Sequence, residues 1–525
     1  MHTRTFVLVL VCGVAAARAD WKDDVGYTSL QLRLGAATPD GTGIAVTQTE
    51  ALDAGNYLPD PANAEFAGKT ITAKSGAGGA SGHATTVGRY YYGLVTSVAP
   101  AISAVDAYEA NNWLSAGFLR FNTISQPLTE TRRAQNHSWI GSYGNDAYDN
   151  DVLRRVDLVV QRDGVLVAVG VNNGATTPMP ELLSSAYNVL AVGLTSGASS
   201  PGPTLAGIDG AGRVKPDIVA PLTLTSWATP VVAACGALLL ETADANDILP
   251  ELNAQQRRAG KAVLAKALLM AGATKAECAG WRKGFATPST DGTVPLDYRY
   301  GAGELNIDNS HRILTAGRYQ GGTTADVGKT GWDYAHLTSG GSRQYFFEVP
   351  AGSYADRVSI LAAWNRQITV GGGNPLNLTP SLPNVDLRLY QAVGFAIGAQ
   401  VDASVSTIDN VEHVHLADLP AGRYAIEIAS NLSCDVALAW DLHLAAVNAD
   451  FDGDGDVDLA DFAAFQSCFN GPNRPLPAAC TADADFDNDA DADLTDFGAF
   501  QGCFNGPNRP PQCGEAAQRM LTAIL

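Results

Sequence analysis

Residues 215–241 read KPDIVAPLTLTSWATPVVAACGALLLE. The run KPDIVAP (215–221) has the apolar, β-branched character of a buried strand, and the residues after Ser226 are apolar on every side of a helix. Pro230 falls in the expected first turn of that helix, where a missing N–H does no harm. A buried strand that hands over to a buried helix belongs to a parallel sheet covered on both faces. Ser226 stands at the handover.

The same alternation runs upstream. IAV (44–46), AISAVDAY (101–108), VLVAVGV (165–171) and VLAVG (189–193) are predicted strands. Segments near 83–98, 109–120, 148–162 and 226–243 are predicted helices, and a helical pattern at 255–272 with the glycine-rich RYGAGELN (299–306) closes an α/β domain set at 20–315. From about residue 316 the period changes to two. YFFEV (345–349), VDLRLY (385–390), YAIEI (424–428) and VALAWDLHL (436–444) alternate between Pro- and Gly-rich turns, predicting an antiparallel β-sandwich over 316–447. No chemistry is concentrated there, which favours a packing or binding role. DFDGDGDVDLADFAAFQSCFNGPNRP at 450–475 then recurs at 485–510 as DFDNDADADLTDFGAFQGCFNGPNRP, an offset of 35 residues. Two copies predict a paired module at 448–513 rather than a solenoid, with a tail at 514–525.

A chain of 525 residues exceeds one core, consistent with several domains. Its start, with His2, Arg4, an apolar stretch from Phe6 to Ala17 and the small-residue pattern Ala17-Arg18-Ala19, predicts a secretory signal over 1–19. That stretch is short of the ~20 residues a membrane span needs, no later segment is expected to span, and the protein is expected to be secreted. Eight cysteines leave seven once Cys12 departs with the signal, so at least one thiol stays free, and Cys235 in its apolar helix is the choice. The net charge of −20 argues against a nucleic-acid partner. Residues 447–525 alone hold fourteen Asp or Glu against three Arg, a net −11.

Ser226 has two readings: an ordinary N-cap serine, or a nucleophile at a helix N-terminus where backbone N–H groups can hold an oxyanion. Context favours the second, because the segment TSWATP (225–230) resembles the nucleophile motif of the subtilisin-like serine peptidases. GRVKPDIVAP (212–221) is similar to the strand before it, and SGHATTVGRYYYG (81–93) resembles the helix that bears the family's histidine, which makes His83 the implied general base. VAVGVNNGA (167–175) resembles the segment whose asparagine helps form the oxyanion hole, implying Asn172, and NHSWIGSYG (136–144) resembles the substrate-binding strand, around Ser138. The motifs keep the family's order over residues 35–310. For His83 the alternative is a capping histidine. The sandwich likewise resembles the small β-domains that follow the catalytic domain of secreted bacterial peptidases.

Several positions depart from the family. Leu224 replaces a glycine before Thr225-Ser226, and Ala84 and Thr86 replace a glycine and a second histidine. About 20 residues separate the expected signal from the first strand, too few for the family's folding pro-domain. The largest departure is the acid. Alignment on GIAV (43–46) puts Gln48 where the family has the aspartate that orients the histidine. An amide can orient an imidazole but does not stabilise imidazolium. Glu50 lies two residues on, roughly 6.6 Å along a strand, and reaches His83 only if the chain bends after Val46. Glu50 is the preferred replacement acid, with a solvated loop carboxylate as the alternative and Gln48 as a neutral orienter if the strand runs straight.

In the acidic repeat Asp450, Asp452, Asp454 and Asp461 occupy positions 1, 3, 5 and 12 of a calcium loop, with Gly455 at 6, Asp456 at 7 and Asp458 at 9. The second copy offers Asp485, Asp487, Asp489, Asp491 and Asp496, with Ala490 in place of the glycine, predicting a strained turn and weaker binding. The alternative is acidic disorder, which fits poorly with the repeated aromatics and cysteines. Two such loop–helix repeats resemble dockerin type I modules, implying Ca²⁺ and a cohesin-like docking partner. Cys468–Cys480 and Cys503–Cys513 are one of three possible pairings of those four cysteines. The expected function is a secreted serine endopeptidase acting on protein or peptide substrates. The alternative is a catalytically impaired subtilisin-like scaffold that binds partners outside the cell.

Overall fold

The structure is a computed structural model describing residues 20–284, 292–350, 353–446, 449–454, 456–472, 474–478, 480, 482, 484–486, 491–507 and 509. The expected signal and tail, Gly455, Asp487, Asp489, Ala490 and Cys513 lie outside the described residues.

Seven parallel strands form the first sheet: β1 (Val46–Glu50), β2 (Thr70–Ala73), β3 (Ala104–Glu109), β4 (Ala134–His137), β5 (Leu166–Gly170), β6 (Leu190–Leu194) and β7 (Ile218–Ala220). Their order is β2-β3-β1-β4-β5-β6-β7. The order reverses at β1, with β3 on one side and β4 on the other, and such a reversal opens a crevice at the carboxyl ends of the strands. The helices used below are α1 (Gly82–Tyr92), α2 (Asp146–Asp163), α3 (Thr225–Ala245), α4 (Ala254–Ala271) and α5 (Ile307–Ala316). Helix α3 carries no charged residue before Glu241 and runs through the main core. By length and composition it could cross a membrane, contrary to the expectation that no later segment could; its apolarity is accounted for by burial within the protein.

The structure departs from the sequence reading in particular places. β1 does not stop at Val46 but continues straight through Thr47, Gln48, Thr49 and Glu50, all buried and in register with β3. β2 and β4 were not among the predicted core strands. β4 reads AQNH, and its buried Gln135, Asn136 and His137 carry no hydrophobic period to betray it. The helix expected over 109–120 is only Ala110–Asn112 followed by a wide turn at Trp113–Gly117, broken where Ser115 leaves helical geometry (φ −93°, ψ −116°). Pro230 is the sixth residue of α3, past the first turn.

Beyond α5 the chain forms two four-stranded antiparallel sheets. One is ordered Val411–Leu416, Ser353–Trp364, Cys434–Ala446, Thr330–Leu337, and the other Ala396–Ser404, Val385–Val393, Gly422–Ser430, Ser342–Val349. Their inner faces share a core that includes Trp364, Trp440 and Tyr345. The outer face of the first sheet lies on α4, so Leu361, Ala363, Ala437 and Ala439 join the core of the α/β domain. Arg366 adds a buried polar clamp, reaching Asp157 on α2 at 2.6 Å and Asp209 at 2.9 Å. In the repeat module, helices Leu459–Cys468 and Leu494–Cys503 pack through Phe465 and Phe500, with Cys468 bonded to Cys480. Cys235, Cys278 and Cys434 are free and buried.

Candidate active site

The carboxyl ends of β1, β4 and β5 and the N-termini of α1 and α3 meet at the crevice. His83 is the second residue of α1, whose N-cap Ser81 accepts a hydrogen bond from the Ala84 N–H at 3.1 Å. Glu50 ends β1, and its Oε2 lies 2.7 Å from His83 Nδ1. No bend after Val46 is needed: α1 begins opposite the end of the extended strand, so the last strand residue, not Gln48, meets the imidazole. Glu50 is 1% exposed, whereas the His83 side chain is 34% exposed and opens to the cleft.

This arrangement sets the charges. Burial pushes the Glu50 carboxyl up, and the bonds from His83 and Gln48 oppose that rise. His83 is raised above its ordinary value, chiefly by its bond to Glu50, with burial acting against it and the charges of Glu50 and Asp53 adding to it. With Nδ1 engaged by Glu50, Nε2 is the nitrogen left for a proton from the cleft side. Gln48 lies behind the pair, bonded to Glu50 Oε1 at 2.8 Å and to the Ala84 carbonyl at 2.9 Å.

Ser226 is the second residue of α3, and α3 packs against α1. The Trp227 ring, one residue on, lies 5.2 Å from the His83 ring. Among the described residues no hydrogen bond joins Ser226 Oγ to His83, and such bonds tighten in many enzymes only when substrate is present. Leu224, where the family has glycine, is extended (φ −137°, ψ 146°), a conformation open to any residue, so the departure brings no backbone strain.

Pro230 explains Ser138. A proline at that position cannot donate to the carbonyl four residues back, and that carbonyl belongs to Ser226. The Ser138 hydroxyl supplies the missing bond at 3.1 Å, and Asn136 Nδ2 donates to Ser138 Oγ at 3.1 Å. The Ser138 side chain is therefore committed to the helix that carries Ser226.

The loop after β5 also differs from expectation. Asn172 is tied to Ser200 through its backbone, with its N–H 3.0 Å from Ser200 Oγ, and its side chain has no hydrogen bond among the described residues. Its neighbour Asn173, which the sequence reading passed over, accepts from the Thr225 N–H at 3.0 Å and the Thr225 hydroxyl at 3.3 Å. Its amide oxygen thus caps α3 next to Ser226. The doubled asparagine was the only available signal.

In the repeat module Asp450, Asp452 and Asp454 bring carboxylate oxygens within 4.8 Å of one another, as do Asp456, Asp458 and Asp461, and Asp491, Asp493 and Asp496. Asp461 also accepts from the N–H groups of Phe451 (2.7 Å) and Asp458 (2.8 Å), which ties both ends of the first loop to its helix. Asp485 and Asp496 likewise belong to the second loop, where Asp496 accepts from Phe486 at 2.6 Å. Oxygen-only donor sets of this kind fit a hard divalent cation.

By structure the chain is similar to the prenylagaramide maturation protease PagA, with 19% identity over 54% of this chain and 97% of that one and a TM-score of 0.34. It is similar to fervidolysin from Fervidobacterium pennivorans, a keratinolytic enzyme related to subtilisin, with 11% identity over 77% and 74% and a TM-score of 0.34. A cold-adapted subtilisin-like serine proteinase matches with 16% identity over 43% and 83% and a TM-score of 0.27. No family model and no curated protein matches the sequence. Overlap at these scores is loose, and the site's own geometry carries the functional reading.

Proposed function

We propose that this chain is a secreted, subtilisin-like serine endopeptidase in which Ser226 is the nucleophile, His83 the general base and Glu50 the acid. The observation that carries the reading is the Glu50–His83 bond of 2.7 Å at the end of β1, facing the helix that starts at Ser226. His83 Nε2 takes the proton of Ser226 Oγ as that oxygen bonds to a peptide carbonyl carbon. The carbonyl π pair moves to oxygen, and Glu50 stabilises the imidazolium that forms. Collapse of the tetrahedral centre expels the amine, which takes the proton from His83, and water repeats the sequence to release the acid.

The oxyanion falls to the Ser226 N–H and to an asparagine amide. Asn173 is the better placed donor, because binding of its Oδ1 to Thr225 leaves its Nδ2 available beside the nucleophile. Such a side-chain donor contributes about 3–4 kcal/mol to the transition state. The alternative, an impaired scaffold, lacked an acid in the family position; a buried carboxylate on His83 Nδ1 removes the ground for preferring it. The test is hydrolysis of a denatured protein substrate by the full chain. Cleavage abolished by Ser226→Ala supports the reading, and equal cleavage by Ser226→Ala defeats it.

The repeat module is proposed to bind Ca²⁺ through Asp450, Asp452, Asp454, Asp456 and Asp461, and through Asp485, Asp487, Asp489, Asp491 and Asp496. The resemblance to dockerin repeats extends this to a cohesin-like partner. Calcium would supply cross-linking of each loop to its helix and takes no part in the acyl transfer.

A further inference from the structure

Behind the Glu50–His83 pair lies a second set of polar groups with no contact to the cleft. Tyr92, the last residue of α1, and Gln48, in the middle of β1, are both fully buried. The Tyr92 hydroxyl donates to Gln48 Oε1 at 2.5 Å. Gln48 Nε2 donates to Glu50 Oε1 at 2.8 Å and to the Ala84 carbonyl at 2.9 Å. Burial, with the nearby Glu50 charge, pushes the Tyr92 pKa well above its ordinary value, so its proton stays on to be donated.

That donor fixes the amide. Reversed, Gln48 would set its oxygen against Glu50 Oε1 and the Ala84 carbonyl, two acceptors, and its NH₂ group against a hydroxyl that must donate. In the orientation found, Gln48 donates one amide hydrogen to the Glu50 carboxylate and the other to the backbone carbonyl of Ala84, the residue that follows His83. We propose that Tyr92 and Gln48 are positioning residues that pin Glu50 Oε1 and so hold Oε2 aimed at His83 Nδ1. The proposal rests on the Ser226–His83–Glu50 reading and names what makes a glutamate workable as its acid. Glutamate has one more rotatable bond than aspartate, and pinning one oxygen removes that freedom. A carboxylate at position 48 could not do this. Ionised, it has no proton to give, and because two carboxylates in one dry site cannot both ionise, the pair would share one proton and leave Glu50 without its full charge.

The test is the titration of His83 in the full chain, followed by NMR of ¹³C-labelled histidine with the signal assigned by His83→Gln. The variants are Tyr92→Phe, Gln48→Leu and Gln48→Glu, and kcat and KM for a peptide substrate are measured against pH alongside. In the wild type His83 titrates once, above about 6.5. Gln48→Leu lowers that midpoint by about one pH unit and kcat by about tenfold or more, with KM within about twofold. Tyr92→Phe shifts both in the same direction and by less. It removes only a hydroxyl, so it keeps the test open if the Gln48 variants do not fold. Gln48→Glu adds a second inflection, absent from the wild type, as the paired carboxyls lose their shared proton. If His83 titrates at the wild-type pH in every folded variant and only the melting temperature moves, both residues are ordinary core packing and the proposal is overturned. The titration is read without turnover. A wild-type protein with no peptidase activity would therefore defeat the functional reading while the relay is still decided by the His83 midpoints.

Discussion

Glu50→Gln keeps the shape of the acid and removes a charge 2.7 Å from His83 Nδ1. The new amide also has its orientation chosen for it. Gln48 Nε2 donates to the Oε1 position at 2.8 Å, so the amide must turn its oxygen toward Gln48 and its NH₂ toward His83. Nδ1 then becomes an acceptor and the imidazole proton moves to Nε2, the nitrogen that must accept from Ser226. A unit charge pair about 4 Å apart at an effective dielectric of 20 interacts by about 4 kcal/mol, or about 10³ in rate. The same type of change in a chymotrypsin-like peptidase, where the tautomer is also wrong, costs about 10⁴. The expected loss in kcat is therefore about 10³–10⁴, with KM little changed. The pH profile adds a sign. General-base activity rises as His83 loses its proton, and Glu50 is the main cause of its raised pKa. With that cause removed, burial outweighs the smaller opposing charge of Asp53 and lowers the imidazole, so the acidic limb moves from above about 6.5 to below it. Steady-state hydrolysis of a chromogenic peptide from pH 5 to 10 reads both quantities. A variant within tenfold of the wild type and with an unmoved limb would refute the role given to Glu50.

Asn173→Ala should lower kcat by about 10²–10³, while Asn172→Ala should leave it within about tenfold, as read by the same peptide assay; the reverse ranking would return the oxyanion role to Asn172. Calcium added to metal-free full-length protein should raise the melting temperature of one calorimetric transition, and Asp461→Ala should reduce that rise, since Asp461 ties the first loop to its helix. His137 is buried and its pKa is depressed to about 3 by desolvation. The unfolded chain then binds the extra proton between about pH 6.5 and pH 3, so stability falls as pH falls through that window, by on the order of 5 kcal/mol if the histidine acts alone. Melting temperature measured against pH should decline less steeply below pH 6.5 in His137→Gln, and parallel curves would contradict the assignment.

The parallel sheet was legible because β5, β6 and β7 are runs of Val, Ile, Leu, Ala and Gly and β3 keeps an apolar stretch around Asp106, all bounded by helical patterns, and α3 because nothing in it is charged before Glu241. β4 was not, since three of its four residues, AQNH, are polar yet buried: His137 Nε2 meets Gln135 Oε1 at 2.9 Å and the His137 ring packs 4.6 Å from Trp113. The polar end of β1 was misread for the same reason. Thr47, Gln48, Thr49 and Glu50 look like a loop mouth by hydropathy, yet they are buried strand, with Gln48 and Glu50 on one face and Thr47 turned to Glu130 on the other. Ser226, His83 and Glu50 stood out as candidates in the sequence because motif order and strand alternation pointed to them, and the structure brings Glu50 and His83 together. Their geometry could not, because the offset of one strand pair between Gln48 and Glu50 depends on where α1 starts. The hydroxyl that Ser138 lends to Ser226 and the cap that Asn173 places on α3 depend on contacts between residues 88 and 52 positions apart, which no local pattern encodes.

An activated Ser226 nucleophile reacts with electrophiles that ordinary serines leave untouched. The most direct measurement is labelling of the purified full chain with a fluorophosphonate probe, followed by peptide mapping of the adduct. One covalent phosphonate is expected on Ser226, lost in Ser226→Ala and slowed strongly in His83→Ala and Glu50→Gln. An unlabelled wild type, under conditions that label an active serine peptidase, or an adduct that persists in Ser226→Ala, would contradict that role for Ser226.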